Sequence, residues 1–109
     1  MERNEKLNEI AQQKLAEILG RRLTLDGYLV TLTATELSSD QKRIRAYVSI
    51  MPEKYNGTAL TMLRKIGPSL KGELARAAKL REAPRINWQI DNTEAKAAEL
   101  DEVFKLIEE

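Results

Sequence analysis

Between Glu5 and Leu19 the apolar positions fall at Leu7, Ile10, Ala11, Leu15, Ile18 and Leu19. Steps of three and four place them on one face of an amphipathic helix, which Gly20 ends or frays. After the Asp26-Gly27 turn signal the pattern changes to a period of two. In YLVTLTATEL, Tyr28, Val30, Leu32 and Ala34 alternate with Leu29, Thr31, Thr33 and Thr35, a half-buried strand rich in β-branched residues. Ser38-Ser39-Asp40 makes a turn. Ile44, Ala46, Val48 and Ile50 then alternate with Arg43, Arg45, Tyr47 and Ser49, so a second strand closes a hairpin.

Met51 to Gly57, with Pro52 and Asn56-Gly57, reads as loop, and Thr58 caps a helix that buries Leu60 and Leu63. Gly67-Pro68 interrupts this helix, because proline lacks the N–H that would bond to the Arg64 carbonyl and its ring clashes there. Proline can begin a helix. The sequence therefore predicts a break at Ile66-Gly67 and a second helix that buries Leu70, Leu74 and Ala77, with Lys71, Gly72, Ala75, Arg76 and Lys79 turned away. Pro84 stops the helical region. Ile86, Trp88 and Ile90 alternate as a third strand, and a closing amphipathic helix over about 94–107 uses Ala98, Leu100, Val103, Phe104 and Ile107.

The order is α-β-β-α-α-β-α. Two helices link the second strand to the third, and such crossovers are right-handed, so these strands should run parallel. The expected architecture is one α+β domain over 1–109, a three-stranded sheet with helices on one face. The other face shows threonines, Arg45 and Tyr47 to solvent.

Charge adds a functional direction. The net charge of +1 hides an asymmetry: residues 1–92 hold 16 basic and 11 acidic groups, and 93–109 hold 2 and 6. The basic excess sits in Arg64 to Arg85, where seven cations (Arg64, Lys65, Lys71, Arg76, Lys79, Arg81 and Arg85) face only Glu73 and Glu82. A solvated helix face mixes its signs more evenly. In a second helix starting at Pro68, the first-turn N–H groups of Ser69, Leu70 and Lys71 lack partners and suit a phosphate. The candidate phosphate-binding residues are thus Arg64, Lys65, Gly67, Ser69, Lys71, Gly72, Arg76, Lys79, Arg81 and Arg85, with Gly72 and Ala75 letting a backbone approach closely. The bland alternative is an ordinary solvated face.

Other candidates are weaker. Tyr47 and Tyr55 are the available stacking aromatics, whereas Trp88, in phase with Ile86 and Ile90, belongs to the core. Arg43 and Arg45 suit acidic or threonine neighbours across the hairpin. Arg3, Lys6, Lys14, Arg21 and Arg22 are interleaved with Glu2, Glu5, Glu9 and Glu17 and are assigned to solvent.

The chain has no cysteine and no histidine, which excludes disulfides and thiolate or imidazole metal sites and removes the commonest general base. Nor does it offer a nucleophile with a base, paired carboxylates at a working spacing, or a phosphate-binding Gly-Lys-Ser loop. The reading is a protein that is not an enzyme and needs no cofactor or metal. No apolar run reaches the length of a signal peptide or a membrane span, so a soluble cytoplasmic protein is expected.

Helix, hairpin, kinked helix pair and parallel strand together resemble the type II KH fold of RNA-binding domains. The segments TLTATELSSDQKRIRAYVSI, PSLKGELARAAKLREAP and RINWQIDNT are similar to the ribosome-binding factor A family, and the likeness runs from about Lys6 to Val103. In that family an Ala-x-Gly kink replaces the KH glycine loop; here it falls on Lys65-Ile66-Gly67, with lysine for alanine and Pro68 following, a stiffer and more positive kink. The resemblance implies a maturation factor that binds free small ribosomal subunits or late precursors, aids processing of the leading end of their rRNA, and matters most in the cold. It also implies a monomer, with ribosome-associated GTPases as further partners and no membrane. Two alternatives stay open: a generic KH-type binder of single-stranded RNA, and an interaction module using the acidic closing helix.

Overall fold

The structure is a computed structural model that describes residues 2–22 and 27–91. Helix α1 (Glu2–Arg22) leads to strands β1 (Leu29–Leu37) and β2 (Arg43–Met51), a 3-10 turn at Glu53–Tyr55, helix α2 (Asn56–Ala78) and strand β3 (Arg85–Ile90). The sheet order is β1-β2-β3, with β1 antiparallel and β3 parallel to β2. The expected fold class therefore holds, including the parallel third strand and helices on one face. The predicted closing helix lies outside the described residues.

The central strand explains the layering. Ile44, Ala46, Val48 and Ile50 are all buried, while Arg43 and Arg45 are exposed and Tyr47 and Ser49 half-buried, the signature of a sheet with one covered face. Leu15 and Ile18 of α1, Leu63, Leu70 and Leu74 of α2 and Trp88 of β3 complete the core. Trp88 is 4% exposed, as its phase with Ile86 and Ile90 predicts. Helix α1 continues past Gly20, which is exposed and has open space where a side chain would stand.

Strand β1 departs from its simple alternation. Leu32 pairs with Val48 but Ala34 pairs with Tyr47, so Thr33 is a surplus residue, a β-bulge. The bulge inverts the faces. Val30 and Leu32 face the helices before it, and Thr35 and Leu37 do so after it, with Glu36 turned to solvent. Thr35, expected outside, is 5% exposed. Asn8 of α1 satisfies this stretch: its amide donates to the Thr35 carbonyl at 2.9 Å, and its Oδ1 accepts from the Thr35 hydroxyl at 2.9 Å and the Leu37 N–H at 3.0 Å. On the opposite face the Thr33 hydroxyl donates to Asp91 Oδ2 at 2.7 Å, tying the bulge to the end of β3.

The hairpin turn is also held by side chains. Asp40 accepts from the Ser38 hydroxyl at 2.6 Å and the Lys42 N–H at 3.0 Å, and Ser38 Oγ accepts from the Arg43 N–H at 3.0 Å. The Ser38 bond first, then the Lys42 bond, hold the Asp40 carboxyl below the usual carboxylate range. Gln41 takes a positive φ of 61° to close the turn.

Candidate nucleic-acid interface

The two helices expected on either side of Gly67-Pro68 are one element of 23 residues with Pro68 inside it. The predicted break is corrected by packing. Ala59, Leu63, Gly67, Leu70, Leu74 and Ala78 are buried at steps of three and four that run through the proline without losing phase. A break would reset that phase. Each fully buried leucine is worth about 1.5–3 kcal/mol, so the three together outweigh the roughly 3 kcal/mol that an interior proline costs. Pro68 lies on the exposed side, which leaves the unpaired Arg64 carbonyl toward solvent. Continuity also corrects the inward position near the end, which is Ala78 rather than Ala77.

A second consequence concerns phosphate binding. Helix α2 begins at Asn56, with Tyr55 as its N-cap and no side-chain cap, so Thr58 lies inside it. The amides of Ser69, Leu70 and Lys71 are interior to the helix and offer no free terminus for an anion. What remains is the helix surface.

On that surface Lys65, Ser69, Gly72, Arg76 and Lys79 follow one another at steps of three and four, within about 50° of a line opposite the buried stripe. They span about 21 Å along the axis. Arg64 and Lys71 flank one side of this line, and Glu73 lies on the other flank. Arg64, Lys65, Arg76, Lys79 and Arg81 are exposed, and Lys71 is half-buried. Among the described residues, none of these six cations has a carboxylate at ion-pair distance. Gly67 is on the covered side, where a Cβ would stand 3.5 Å from the Trp88 indole nitrogen. Gly72 is on the outward line, and a Cβ there would stand 3.6 Å from Arg76 Nη1. The Arg76 guanidinium thus folds back over Gly72, so a close backbone approach at Gly72 requires that guanidinium to swing aside.

The helix ends in a way that keeps its last cation in place. Lys79 adopts the left-handed conformation (φ 55°, ψ 45°) that usually goes to glycine. The Lys79 and Leu80 N–H groups both bond to the Ala75 carbonyl, the latter at 2.9 Å, while Leu80 packs on the core. Arg81 lies in the following turn, which Pro84 closes as a fully buried residue. Arg85 then begins β3, with its N–H on the Lys42 carbonyl at 2.9 Å. Its side chain is on the open face of the sheet, opposite the helices, so the structure separates Arg85 from the α2 line.

Of the two stacking candidates, Tyr55 has its ring taken: Tyr28 stacks on it at 5.2 Å and Lys54 Nζ sits 5.3 Å from its centroid. Tyr47 is on the open face, where its hydroxyl is 3.4 Å from both Arg45 Nη1 and Glu36. Arg45 pairs with Glu36 across the hairpin at 3.4 Å, as its position predicts. The hydrogen bond to Tyr47 raises the Arg45 pKa further. Among the described residues, no three His, Cys, Asp or Glu side chains cluster to hold a metal ion, and no helix is long and apolar enough to cross a membrane. What this arrangement can do chemically is attract a polyanion, since a row of unneutralised cations can hold a phosphate backbone without reading its sequence.

The chain resembles proteins with the same element order. Residues 3–104 match the family model for ribosome-binding factor A. Ribosome-binding factor A of Coprothermobacter proteolyticus is 37% identical over 92 residues, covering 84% of this chain and 67% of that protein. The Natranaerobius thermophilus protein of the same name is 30% identical over 105 residues, covering 94% and 80%. The crystal structure of ribosome-binding factor A from Thermus thermophilus superposes with a TM-score of 0.68 at 27% identity, over 80% of this chain and 94% of that one. A homology model of the Thermus thermophilus factor, fitted into a cryo-EM map of its complex with the 30S subunit, gives a TM-score of 0.67 at 27% identity, over 79% and 92%. With a family model spanning nearly all of its length and a helix, hairpin, long helix and parallel strand in the same order, the chain belongs to the ribosome-binding factor A family.

Proposed function

We propose that this protein binds free small ribosomal subunits or their late precursors and lays the outward line of α2 along rRNA. The observation that carries the reading is the row Lys65, Arg76 and Lys79, with Arg64 and Lys71 beside it and no carboxylate partner among the described residues, in a member of this family. A related protein placed in a 30S complex supports the choice of partner. Phosphate contacts position the domain, and RNA shape supplies the specificity. The family resemblance adds assistance to processing of the leading end of the rRNA, greatest need in the cold, and work as a cytoplasmic monomer alongside ribosome-associated GTPases.

The test is the salt dependence of small-subunit binding. Each phosphate contact steepens the fall of log affinity with log salt by about 0.7–0.9. The triple variant K65Q/R76Q/K79Q should bind more weakly, with a slope flatter by about 2. An unchanged affinity and slope would remove α2 from the interface. Competition by short single-stranded RNA at equal affinity would favour a general RNA binder over a subunit-specific one.

A further inference from the structure

The open face of the sheet carries a second set of cations that the sequence leaves dispersed. Register brings Arg43 of β2 beside Arg85 of β3, and Arg45 beside Asn87 one outward row further along. Residues paired this way stand about 4.8 Å apart, and successive outward rows about 6.6 Å apart. All four side chains are exposed, and with Glu36 and Ser38 they border a shallow groove. Three arginines therefore share the open face where β2 begins, with the Arg45 guanidinium turned to Glu36 and the Tyr47 hydroxyl. Their opposing carboxylates are few. Glu36 is paired with Arg45; Asp40 acts on Arg43 without reaching ion-pair distance, its Oδ1 accepting from both the Ser38 hydroxyl and the Lys42 N–H. Among the described residues, Arg43 and Arg85 make no ion pair.

Like charges on neighbouring strands repel, so this pairing is unfavourable until an anion lies between them. We infer that the open sheet face is a second phosphate-backbone site, and that the domain grips two RNA strands at once, one on α2 and one on Arg43, Arg45 and Arg85. The inference rests on the polyanion reading above for its class of ligand. Arginine favours this occupant over a protein, because its planar fork of donors matches phosphate oxygens in pairs. The row spacing is also close to the separation of successive phosphates along an extended strand. The exposed apolar pair that a protein partner would use, Leu29 and Met51, faces outward about 20 Å along β2 from Arg45.

The experiment counts RNA strands. The full chain, at low salt, is titrated with a labelled oligouridylate, and in parallel its affinity for small subunits is followed against salt. The wild type should take two oligonucleotides and R43Q/R85Q one, with the subunit slope flatter by about 1.4. Over a fourfold rise in salt the variant then loses about sevenfold less affinity than the wild type. The pair R43K/R85K keeps the charge and should keep both strands; a loss equal to that of the glutamine pair would overturn the inference. So would a wild type that takes one strand, or a glutamine pair that keeps two with an unchanged slope. A glutamine pair that keeps both strands but loses subunit affinity would mark the face as a protein-docking surface instead. The α2 triple variant separates the two readings: if it alone weakens subunit binding, the proposed function stands and this inference falls. If R43Q/R85Q releases one oligonucleotide while neither variant affects subunits, the reverse holds.

Discussion

Replacing Pro68 by alanine distinguishes two ways of building α2. In the continuous helix Pro68 is interior and exposed. Alanine there adds the missing N–H for the Arg64 carbonyl and removes the ring that crowds it, a gain of about 3 kcal/mol for a helix interior. Proline also stiffens the unfolded chain, and its loss gives back about 1 kcal/mol. The net stabilisation is about 2 kcal/mol, which for a domain of this size raises Tm by roughly 8 °C. Urea unfolding followed by circular dichroism, with an unchanged m-value, measures it directly. If Pro68 instead opened a separate helix, its fixed φ would already suit that place and alanine would bring no gain. A midpoint that stays put or falls would refute the continuous helix.

Three further predictions follow from single contacts. Asn8→Ala removes the Oδ1 that accepts from the buried Thr35 hydroxyl and the Leu37 N–H, and leaves that hydroxyl its longer 3.5 Å contacts to the Asn8 carbonyl and Gln12 Oε1, at a cost of about 1–2 kcal/mol by urea midpoint; the double variant N8A/T35V should cost less than the sum of its singles. Gly72→Ala should raise stability by about 0.5–1 kcal/mol, since the new methyl meets only the Arg76 guanidinium at an ordinary distance; a lower melting temperature would mean that Arg76 cannot yield. Asp40, whose folded pKa lies below its unfolded one, contributes stability above the unfolded value and loses it as pH falls through the folded value. Ser38→Ala should move its NMR titration midpoint up toward the ordinary 3.9 or so, and an unmoved midpoint would show that the hydroxyl does not set it.

Much of the fold was legible because its signals are local. The strict alternation of Ile44, Ala46, Val48 and Ile50, the Ser38 to Asp40 turn and the crossover rule together place β2, the hairpin and a parallel β3. What escaped depended on partners distant in sequence. Proline chemistry at Pro68 argues locally for a break, but the buried stripe from Ala59 to Ala78 prevails because both halves of the helix are packed into the core. The bulge at Thr33 left no local mark, since threonine suits either face of a strand. The basic character of α2 was readable; its free helix start was not real. Arg85 was grouped with α2 by proximity in sequence, whereas the β2–β3 register puts it next to Arg43.

The surplus threonine in β1 has an electrical consequence. Were Thr33 to take a regular place in the ladder, with the pairing straight beyond Leu32, Glu36 would fall opposite Ile44 and turn its carboxylate under the helices. Arg45 would then be stripped of its only counter-ion in the hairpin. One extra backbone unit thus decides whether the outer side of this sheet carries a tempered positive field or a bare one.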